Sequence, residues 1–278
     1  MATLLNIGDI QVGPGKPLAV LAGPCVLEDS DTNRRIAGFL KECCQDLGLP
    51  LILKGSFDKA NRTSMRSHRG PGIEQGLDVM AALKEEFEVP LTTDIHAPEQ
   101  ASPASKVVDL LQVPAFLCRQ TDLLNACAET GRPVNVKKGQ FISPAEMTHV
   151  LEKLEACNAT GCMLTERGTF FGYHRLVNDF VGLGDLMDLG APVCFDVTHS
   201  TQLPGAGADQ TAGRPDRADL LARAAVAAGV HALFIECHPD PARARSDAST
   251  MQTLEQAGRI LQDAALIHAA LQESHASA

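Results

Sequence analysis

The sequence predicts an α/β protein built as a single (β/α)8 TIM-type barrel. Short apolar runs alternate along the chain with longer amphipathic stretches, which is the pattern of repeated strand and helix units around a parallel sheet. Eight of the apolar runs qualify as strands, the number that closes such a barrel. The 278 residues suit one barrel of about 250 residues, and no shift in composition marks a linker, so we expect one domain over residues 1–278.

The predicted strands are short and apolar, as expected for strands that are buried on both faces. They are Leu18 to Ala22, Leu51 to Leu53, Leu91 to Thr93, Val108 to Gln112, Val134 to Val136, Met163 to Thr165, Val193 to Asp196 and Leu233 to Glu236. Before the first of them, Leu4 to Val12 alternates around Gly8-Asp9 like a small β-hairpin. We expect this hairpin, within residues 1–14, to cap the N-terminal end of the barrel.

Amphipathic stretches between the strands predict helices, and several begin with Asp, Thr or Pro, which are favoured at helix starts. They are Thr32 to Leu47, Ile73 to Phe87, Thr121 to Thr130, Pro144 to Ala156, Asp216 to Ala228 and Thr250 to Leu271. Two connections, residues 56–72 and 200–215, are long, polar and rich in glycine. Because barrels keep their chemistry in the loops that follow the strands, we expect the active site there, with residues 200–215 as a mobile loop.

Composition restricts the partners and the compartment. The net charge of −10 argues against nucleic acid or an anionic membrane as a partner, because both bind basic surfaces. No apolar run approaches the roughly 18 residues of a membrane span, and the N-terminus lacks the features of a secretory signal. Nine cysteines without a Cys-x-x-Cys pair fit a reducing compartment, so we expect the cytoplasm. Gly205-Ala-Gly207 is not a complete dinucleotide fingerprint, so no organic cofactor is expected.

Charged residues follow nearly every predicted strand, and a barrel brings all strand ends to one face. The basic ones are Lys54, Lys59, Arg62, Arg119, Lys137 and Arg167. On an acidic protein this set predicts a pocket for two phosphoryl groups, because Arg and Lys both pair with phosphate oxygens. Any single member could instead be a solvated charge at the start of a loop.

Four residues near the ends of the first, seventh and eighth strands are candidate metal ligands: Cys25, His199, Glu236 and Asp247. A thiolate, an imidazole and two carboxylates suit Zn(II), Fe(II), Co(II) or Mn(II) better than Mg(II). From the residues alone, other roles stay open. Cys25 could be a buried hydrophobe, His199 a general base, and the two acids partners of nearby Arg residues.

Several motifs at these positions are similar to those of one enzyme family. They are Lys54-Gly-Ser-Phe-Asp-Lys-Ala-Asn-Arg-Thr-Ser64, His68-Arg-Gly-Pro-Gly72, Thr93-Asp-Ile-His96, Gln112-Val-Pro-Ala-Phe-Leu-Cys-Arg-Gln-Thr-Asp122, Asn135-Val-Lys-Lys138, Phe195-Asp-Val-Thr-His199 and Glu236-Cys-His-Pro-Asp-Pro241. The sequence resembles the 3-deoxy-D-manno-octulosonate 8-phosphate synthases, also called 2-dehydro-3-deoxyphosphooctonate aldolases. This resemblance runs from Ile7 to about residue 270.

The resemblance implies a transferase that condenses phosphoenolpyruvate with D-arabinose 5-phosphate and water. The products would be inorganic phosphate and the eight-carbon sugar acid phosphate of lipopolysaccharide synthesis. By the family pattern, phosphoenolpyruvate would be held by Lys54, Lys59, Gln112, the Ala115 backbone, Lys137 and Arg167. Arabinose 5-phosphate would be held by Asn61, Arg62 and Thr63, with Arg119 reaching its phosphate from a neighbouring subunit. The family pattern thus also implies a homo-oligomer, usually a tetramer.

The family has a metal-dependent form and a metal-free form, and this sequence resembles the metal-dependent one. It reads Ala22-Gly-Pro-Cys25 where the metal-free form has Ala-Gly-Met-Asn, and Ser246-Asp-Ala-Ser249 where that form has Cys-Asp-Gly-Pro. His199 and Glu236 complete the implied ligand set with Cys25 and Asp247. One divalent ion per subunit could polarise the sugar carbonyl, orient it, or activate a water.

The resemblance also marks residues for the chemical steps. Asp94 and His96 are candidates for supporting the metal or for transferring protons. The other candidate catalytic residues are Lys59, Asn61, His199 and Asp247.

Two alternatives to this function remain. The related 3-deoxy-arabino-heptulosonate 7-phosphate synthases use erythrose 4-phosphate, but they carry Lys-Pro-Arg where this chain has Lys59-Ala-Asn-Arg62. The second alternative is a non-catalytic metal-binding barrel. The set of basic residues argues against it, because crowded like charges repel each other and a structural subunit has no need for them.

Overall fold

A computed structural model of the chain describes residues 3–60, 68–170, 174–206 and 212–276. Asn61, Arg62 and Thr63, which the family pattern assigns to the sugar phosphate, lie outside the described residues. So does the centre of the loop over residues 200–215. The candidate site is therefore built from the strands and from the described ends of these loops.

Within the described residues, eight parallel strands form a closed barrel. They are β1 Ala19–Gly23, β2 Leu51–Lys54, β3 Leu91–Asp94, β4 Leu110–Val113, β5 Val134–Lys137, β6 Cys162–Glu166, β7 Val193–Asp196 and β8 Ala232–His238. Each strand pairs with the next one along the chain, and β8 pairs with both β7 and β1, which closes the ring. The predicted barrel is confirmed, and strand boundaries differ from the prediction by no more than two residues.

Eight α-helices of the described chain surround the barrel. They are α1 Ser30–Asp46, α2 Ile73–Phe87, α3 Pro98–Ser105, α4 Thr121–Ala128, α5 Thr148–Ala156, α6 Phe180–Asp188, α7 Ala218–Ala227 and α8 Leu254–Ala276. The sequence predicts six of them and misses α3 and α6. Pro103 inside α3, and Gly182 and Gly184 inside α6, weaken the helical pattern. None of the helices described is long and apolar enough to cross a membrane.

Side chains alternate along each strand between the inside of the barrel and the surrounding helices. Outward-facing residues such as Val20, Leu53 and Val136 pack against the helices in one large buried cluster. Inward-facing residues such as Leu21 and Phe234 form a second, smaller cluster that fills the barrel. The two apolar clusters hold the strand ends in fixed positions, because burial of this surface is the main stabilising contribution.

An N-terminal hairpin closes one end of the barrel. Its strands, Leu5–Ile7 and Ile10–Val12, pair antiparallel, and buried side chains of both strands join the cluster inside the barrel. A Cβ built on Gly161, directly ahead of β6, would lie 2.3 Å from the Leu5 side chain. The hairpin therefore covers the N-terminal ends of the strands, as predicted, and functional residues collect at the opposite end.

Glycine at the end of β1 lets two strand ends approach closely. A Cβ built on Gly23 would lie only 1.9 Å from the carbonyl oxygen of Lys54, so no larger residue fits there. Beyond this contact, the Lys54 Nζ donates a hydrogen bond of 2.6 Å to the carbonyl oxygen of Cys25. The close approach thus fixes the start of the loop that carries Cys25.

Candidate active site

The polar residues that end the strands lie in the mouth of the barrel because of strand alternation. Lys54 and Glu236 stand two positions beyond Ile52 and Phe234, which belong to the cluster inside the barrel. Both polar side chains are therefore on the inner face, and both are almost completely buried. They form an ion pair, with the Lys54 Nζ 2.6 Å from the Glu236 Oε1.

Lys59 lies above this ion pair, on the loop after β2. Its Nζ donates to the Ser56 Oγ at 3.0 Å and lies 3.6 Å from the Asp94 Oδ2 and 4.0 Å from the Glu236 Oε1. Burial alone would lower the pKa of Lys59, but the negative charges of Glu236 and Asp94 raise it above its usual value. Lys59 is therefore a buried cation near neutral pH, suited to an anionic ligand.

A second group links β5, β7 and β8 across the mouth. The Lys137 Nζ lies 2.6 Å from the Asp196 Oδ2 and 3.5 Å from the centroid of the Phe234 ring. The same Asp196 oxygen is 2.8 Å from the His199 Nδ1. Burial would raise the pKa of Asp196, but His199 and Lys137 lower it far below its usual value. Asp196 is thus an anion that orients both the lysine and the imidazole.

Three of the four candidate metal ligands converge beside Lys59, and the fourth, His199, lies next to two of them. The Cys25 Sγ and one carboxylate oxygen each of Glu236 and Asp247 all lie within 4.8 Å of one another. The His199 Nε2 is 3.6 Å from the Glu236 Oε2 and 3.7 Å from the Asp247 Oδ2. For metal–ligand bonds of about 2.0–2.3 Å, the edges of a tetrahedron are roughly 3.3–3.8 Å long, and the two distances from His199 fall in this range.

The hydrogen bonding of the candidate ligand atoms also fits a metal ion. Among the described residues, the buried Glu236 Oε2 has no hydrogen-bond partner, an unfavourable state that a cation would relieve. Asp196 holds the Nδ1 of His199, which leaves Nε2 as the ring nitrogen facing the carboxylates. Sulfur, nitrogen and oxygen donors together suit a divalent transition metal or zinc.

The protonation of Cys25 is coupled to this site. Burial first, and then the charges of Asp247 and Glu236, raise the pKa of the thiol well above its usual value. Its Sγ lies 3.0 Å from the Asp247 Oδ2, so the thiol can donate its hydrogen to that carboxylate. Binding of a cation would displace this proton, because the thiolate is the form that coordinates metals.

Arg167 places a buried guanidinium on the β6 side of the mouth. One end of its guanidinium contacts the Gln202 Oε1 on the loop after β7, whereas the Nη1 is buried and has no hydrogen-bond partner among the described residues. Burial lowers the pKa of Arg167, although an arginine stays charged at neutral pH. A buried and unpaired N–H group on a cation is a binding site for a phosphate or carboxylate oxygen.

Gln112, Ala115 and His96 line the β3 and β4 side. The Gln112 Nε2 donates to the Asp94 Oδ1 at 2.6 Å, and the buried Ala115 begins the turn after β4. His96 is half-buried, its ring edge faces Phe57, and burial lowers its pKa. The imidazole at this edge of the mouth is therefore neutral at physiological pH, a state in which it can accept a proton.

Two basic residues from the strand ends do not join the pocket. Arg119 is exposed on the turn after β4, whereas the lysines of the pocket are buried. Lys138 points away from the mouth, because the strand alternation places it opposite Lys137, and its Nζ lies 3.5 Å from the Glu166 Oε2. The expectation that every charged strand end meets on one face is therefore wrong for Lys138.

Sequence reasoning missed four polar residues that the structure adds to the site: Ser56, Asn135, Thr165 and Ser246. Asn135 and Thr165 are buried beside Gln112, and the Ser246 Oγ is 3.0 Å from the Cys25 Sγ. The alternation along β5 and β6 would have indicated that Asn135 and Thr165 face inward. Their partners depend on the register between strands, which the sequence does not show.

Comparison with known proteins agrees with this fold. A family model described as the DAHP synthetase I family matches residues 2–270. The chain belongs to this family. Its relatives include a 2-dehydro-3-deoxyphosphooctonate aldolase from Desulfatibacillum aliphaticivorans, 48% identical over 262 residues that cover 94% of this chain and 96% of that protein. A protein of the same name from Desulfotalea psychrophila is 45% identical over 268 residues, 96% of both chains.

The resemblance found in the sequence motifs is therefore confirmed, and the chain is a member of the 2-dehydro-3-deoxyphosphooctonate aldolase group of the DAHP synthetase I family. A third relative of this name, from Granulibacter bethesdensis, is 48% identical over 255 residues, 92% of this chain and 90% of that protein. These alignments span nearly the full chains, so they include the strand ends that carry the site.

Proposed function

We propose that this protein condenses phosphoenolpyruvate with D-arabinose 5-phosphate and water to give 3-deoxy-D-manno-octulosonate 8-phosphate and inorganic phosphate. This is a transferase reaction that supplies a precursor of lipopolysaccharide. The proposal is supported by the names of the full-length relatives and by the sequence motifs. The observation that carries it is a single mouth in which the buried Lys59, and an Arg167 Nη1 without a hydrogen-bond partner in the described part of the chain, lie beside a convergent set of candidate metal ligands.

Phosphoenolpyruvate would occupy the cationic side of the mouth. The residues assigned to it are Lys54, Lys59, Gln112, the Ala115 backbone, Lys137 and Arg167. During the reaction C3 of phosphoenolpyruvate attacks the sugar aldehyde, water adds at C2, and the C–O bond to phosphate breaks. The leaving phosphate and the carboxylate both carry negative charge, which fixed cations in a buried pocket stabilise without reorganising.

A divalent ion, Zn, Fe(II), Mn or Co, would be held by Cys25, His199, Glu236 and Asp247. When bound, such an ion would act as a Lewis acid on the aldehyde oxygen of the sugar or lower the pKa of a water. The chain's own residues would hold protons around it. Lys59 keeps its positive charge, His96 is neutral and able to accept a proton, and Asp94 is ionised.

Arabinose 5-phosphate would bind at Asn61, Arg62 and Thr63, the residues of the family pattern, with Asn61 among the candidate catalytic residues. Arg119 would reach the sugar phosphate of a neighbouring subunit in a homotetramer. Its exposure supports this role, as does the exposure of nearby Phe116, whose side chain is 55% accessible. Subunit contact would cover both.

We further propose that the chain acts as one barrel domain in the cytoplasm and that the loop over residues 200–215 closes over the substrates. All nine cysteines are free, which agrees with a reducing compartment. The contact between Arg167 and Gln202 supports loop closure, because it connects the loop to a residue of the anion pocket.

The test is an assay of phosphate release from phosphoenolpyruvate after treatment with a chelator and after adding back Zn(II), Fe(II), Mn(II) or Co(II). We expect activity with arabinose 5-phosphate, little with erythrose 4-phosphate, and loss on chelation that a divalent ion reverses. A preference for erythrose 4-phosphate would indicate the heptulosonate reaction instead. No phosphate release with any aldose phosphate would favour a non-catalytic metal-binding barrel, and full activity without metal would remove the metal requirement.

A further inference from the structure

Four polar side chains on neighbouring strands, together with Ser56 on the loop after β2, form one continuous hydrogen-bonded chain across the barrel mouth. In order around the ring they are Ser56, Asp94, Gln112, Asn135 and Thr165. All five are buried, and Gln112, Asn135 and Thr165 are completely inaccessible to solvent. Side-by-side register explains the contacts, since Gln112 pairs with Asp94 on β3 and with Asn135 on β5.

The bonds in the chain are short and continuous. The Thr165 Oγ1 lies 2.7 Å from the Asn135 Oδ1, and the Asn135 Nδ2 lies 2.9 Å from the Gln112 Oε1. The Gln112 Nε2 then lies 2.6 Å from the Asp94 Oδ1. The other oxygen of Asp94 accepts from Ser56, and the Ser56 hydroxyl accepts from the Lys59 Nζ.

The charge of Asp94 fixes the direction of this chain. Burial would raise the pKa of Asp94, but Lys59, Lys54 and Lys137 hold it well below its usual value, so the group is a carboxylate. A carboxylate only accepts hydrogen bonds, so Gln112 must turn its NH2 group toward it. The Gln112 carbonyl then needs a donor, which is the NH2 of Asn135, and the Asn135 carbonyl in turn needs the hydroxyl of Thr165.

The orientation of Gln112 decides what it offers to a ligand. With its carbonyl oxygen bound to Asn135 and one N–H bound to Asp94, Gln112 keeps a second N–H, a donor that attracts an anion. A flipped amide would present the carbonyl oxygen, which repels one. Without Thr165, the Asn135 carbonyl would lose its donor, and Asn135 could rotate and release Gln112.

We propose that Asn135 and Thr165 are positioning residues that hold Gln112 as a hydrogen-bond donor for the anionic groups of phosphoenolpyruvate. This inference rests on the proposed function, since it names the substrate of that pocket. Neither residue is expected to touch the substrate. They act through Gln112, whose amide they orient, and through Asp94, whose charge the aligned amide dipoles stabilise.

The first test uses Thr165→Val, which keeps the shape of the side chain and removes its hydroxyl. We expect the dissociation constant of phosphoenolpyruvate, measured by calorimetry without the sugar, to rise about tenfold, the effect of one lost hydrogen bond to a buried group. Thr165→Ser should restore binding to within about twofold, because the hydroxyl returns. Thr93→Val is the matched control: Thr93 is a buried strand threonine whose hydroxyl has no hydrogen-bond partner among the described residues, so binding should not change.

The second test uses Asn135→Asp and keeps the inference open to refutation even if Thr165→Val does not fold. A protonated carboxyl group at this position can donate to the Gln112 oxygen and accept from Thr165, whereas an ionised one can only accept. The ratio of the variant's dissociation constant for phosphoenolpyruvate to that of the wild type should therefore rise with pH. A change of about tenfold between pH 5.5 and 8.5 is expected for the loss of this one bond.

The outcomes separate this inference from the proposed function. If wild-type protein does not bind phosphoenolpyruvate, the proposed function fails. The positioning role is overturned if the wild type and Thr165→Val bind phosphoenolpyruvate equally well and the ratio of dissociation constants for Asn135→Asp stays constant across the pH range. The hydrogen-bonded chain is then only structural. Loss of thermal stability without a change in binding has the same meaning.

Discussion

In the proposed metal site, we expect Cys25 to decide whether the pocket holds an ion. Its Sγ faces the carboxylates of Glu236 and Asp247, whose like charges need compensation in a buried site. A cation bound by the thiolate provides one form of compensation. An amide provides another, because its N–H groups can donate to the carboxylates without any ion. The metal-free form of the family, by the sequence resemblance, has Asn at this position.

We therefore expect Cys25→Asn to fold, to bind divalent metal at least about 10–100-fold more weakly, and to keep activity in the presence of a chelator. The amide removes a ligand but donates to Asp247, so the pocket stays compensated. Competition with a chromogenic chelator would measure the affinity, and phosphate release with and without metal the activity. Cys25→Ser is the matched control, since it removes the thiolate without adding an N–H group, and it should be inactive under chelation. Inactivity of Cys25→Asn in all metal conditions would contradict this explanation.

The loop between β8 and α8 carries Asp247 and contains little regular structure among the described residues. Asp247 itself has a positive φ of 46°, a backbone conformation that only a well-restrained loop maintains for a residue other than glycine. Part of the restraint comes from the neighbouring loop after β1. The Glu28 Oε1 accepts a hydrogen bond of 3.0 Å from the Arg245 backbone and lies 3.6 Å from the His238 Nε2. Glu28 thus sets how the loop of Asp247 lies relative to Cys25.

Loss of the Glu28 contacts should weaken metal binding, although Glu28 is not one of the four candidate ligands. We expect Glu28→Ala to lower the affinity for Zn(II) by about tenfold, the usual effect of removing a group that supports a ligand. Glu28→Gln keeps an oxygen that can accept from the Arg245 backbone, so its loss should be clearly smaller. Chelator competition on the purified variants measures both. Equal affinities for the wild type and Glu28→Ala would show that the loop does not need this contact.

The sequence predicts the elements better than the contacts between them. Periodicity indicates eight strands because each is an apolar run with polar residues at its end. The same polar strand ends identify Lys54 and Glu236 as candidate site residues. Periodicity misses α6, where tertiary packing overrides the low helix propensity of Gly182 and Gly184. The sequence misses the hydrogen-bonded side chains from Thr165 to Asp94 for another reason. Hydrogen bonds between strands depend on register, which has no local signal in the sequence.

At the scale of the whole molecule, an acidic protein encloses a pocket that is lined by lysines, and each buried lysine in it has an anionic neighbour. Lys54 pairs with Glu236 and Lys137 with Asp196, which keeps the mouth close to neutral. Arg119 differs from these residues because it is exposed. Within one barrel it has no evident role in the site, and the proposed role in a neighbouring subunit would explain its exposure.

Mixed oligomers would test this role directly. Arg119→Ala and Lys59→Met should each lower activity about tenfold or more, because each removes a charged hydrogen-bond donor to a phosphate or carboxylate. If Arg119 acts on the neighbouring site, a tetramer assembled from both variants contains some sites with a native Lys59 from one subunit and a native Arg119 from the next. Random assembly from equal amounts makes about a quarter of the sites complete, so about a quarter of the wild-type activity should return. Co-expression with two affinity tags would isolate the mixed tetramers, and mixtures of wild type with Lys59→Met give the reference for dilution. Should Arg119 instead serve its own barrel, no subunit in the mixture would carry both residues, and the activity would stay at the level of the separate variants.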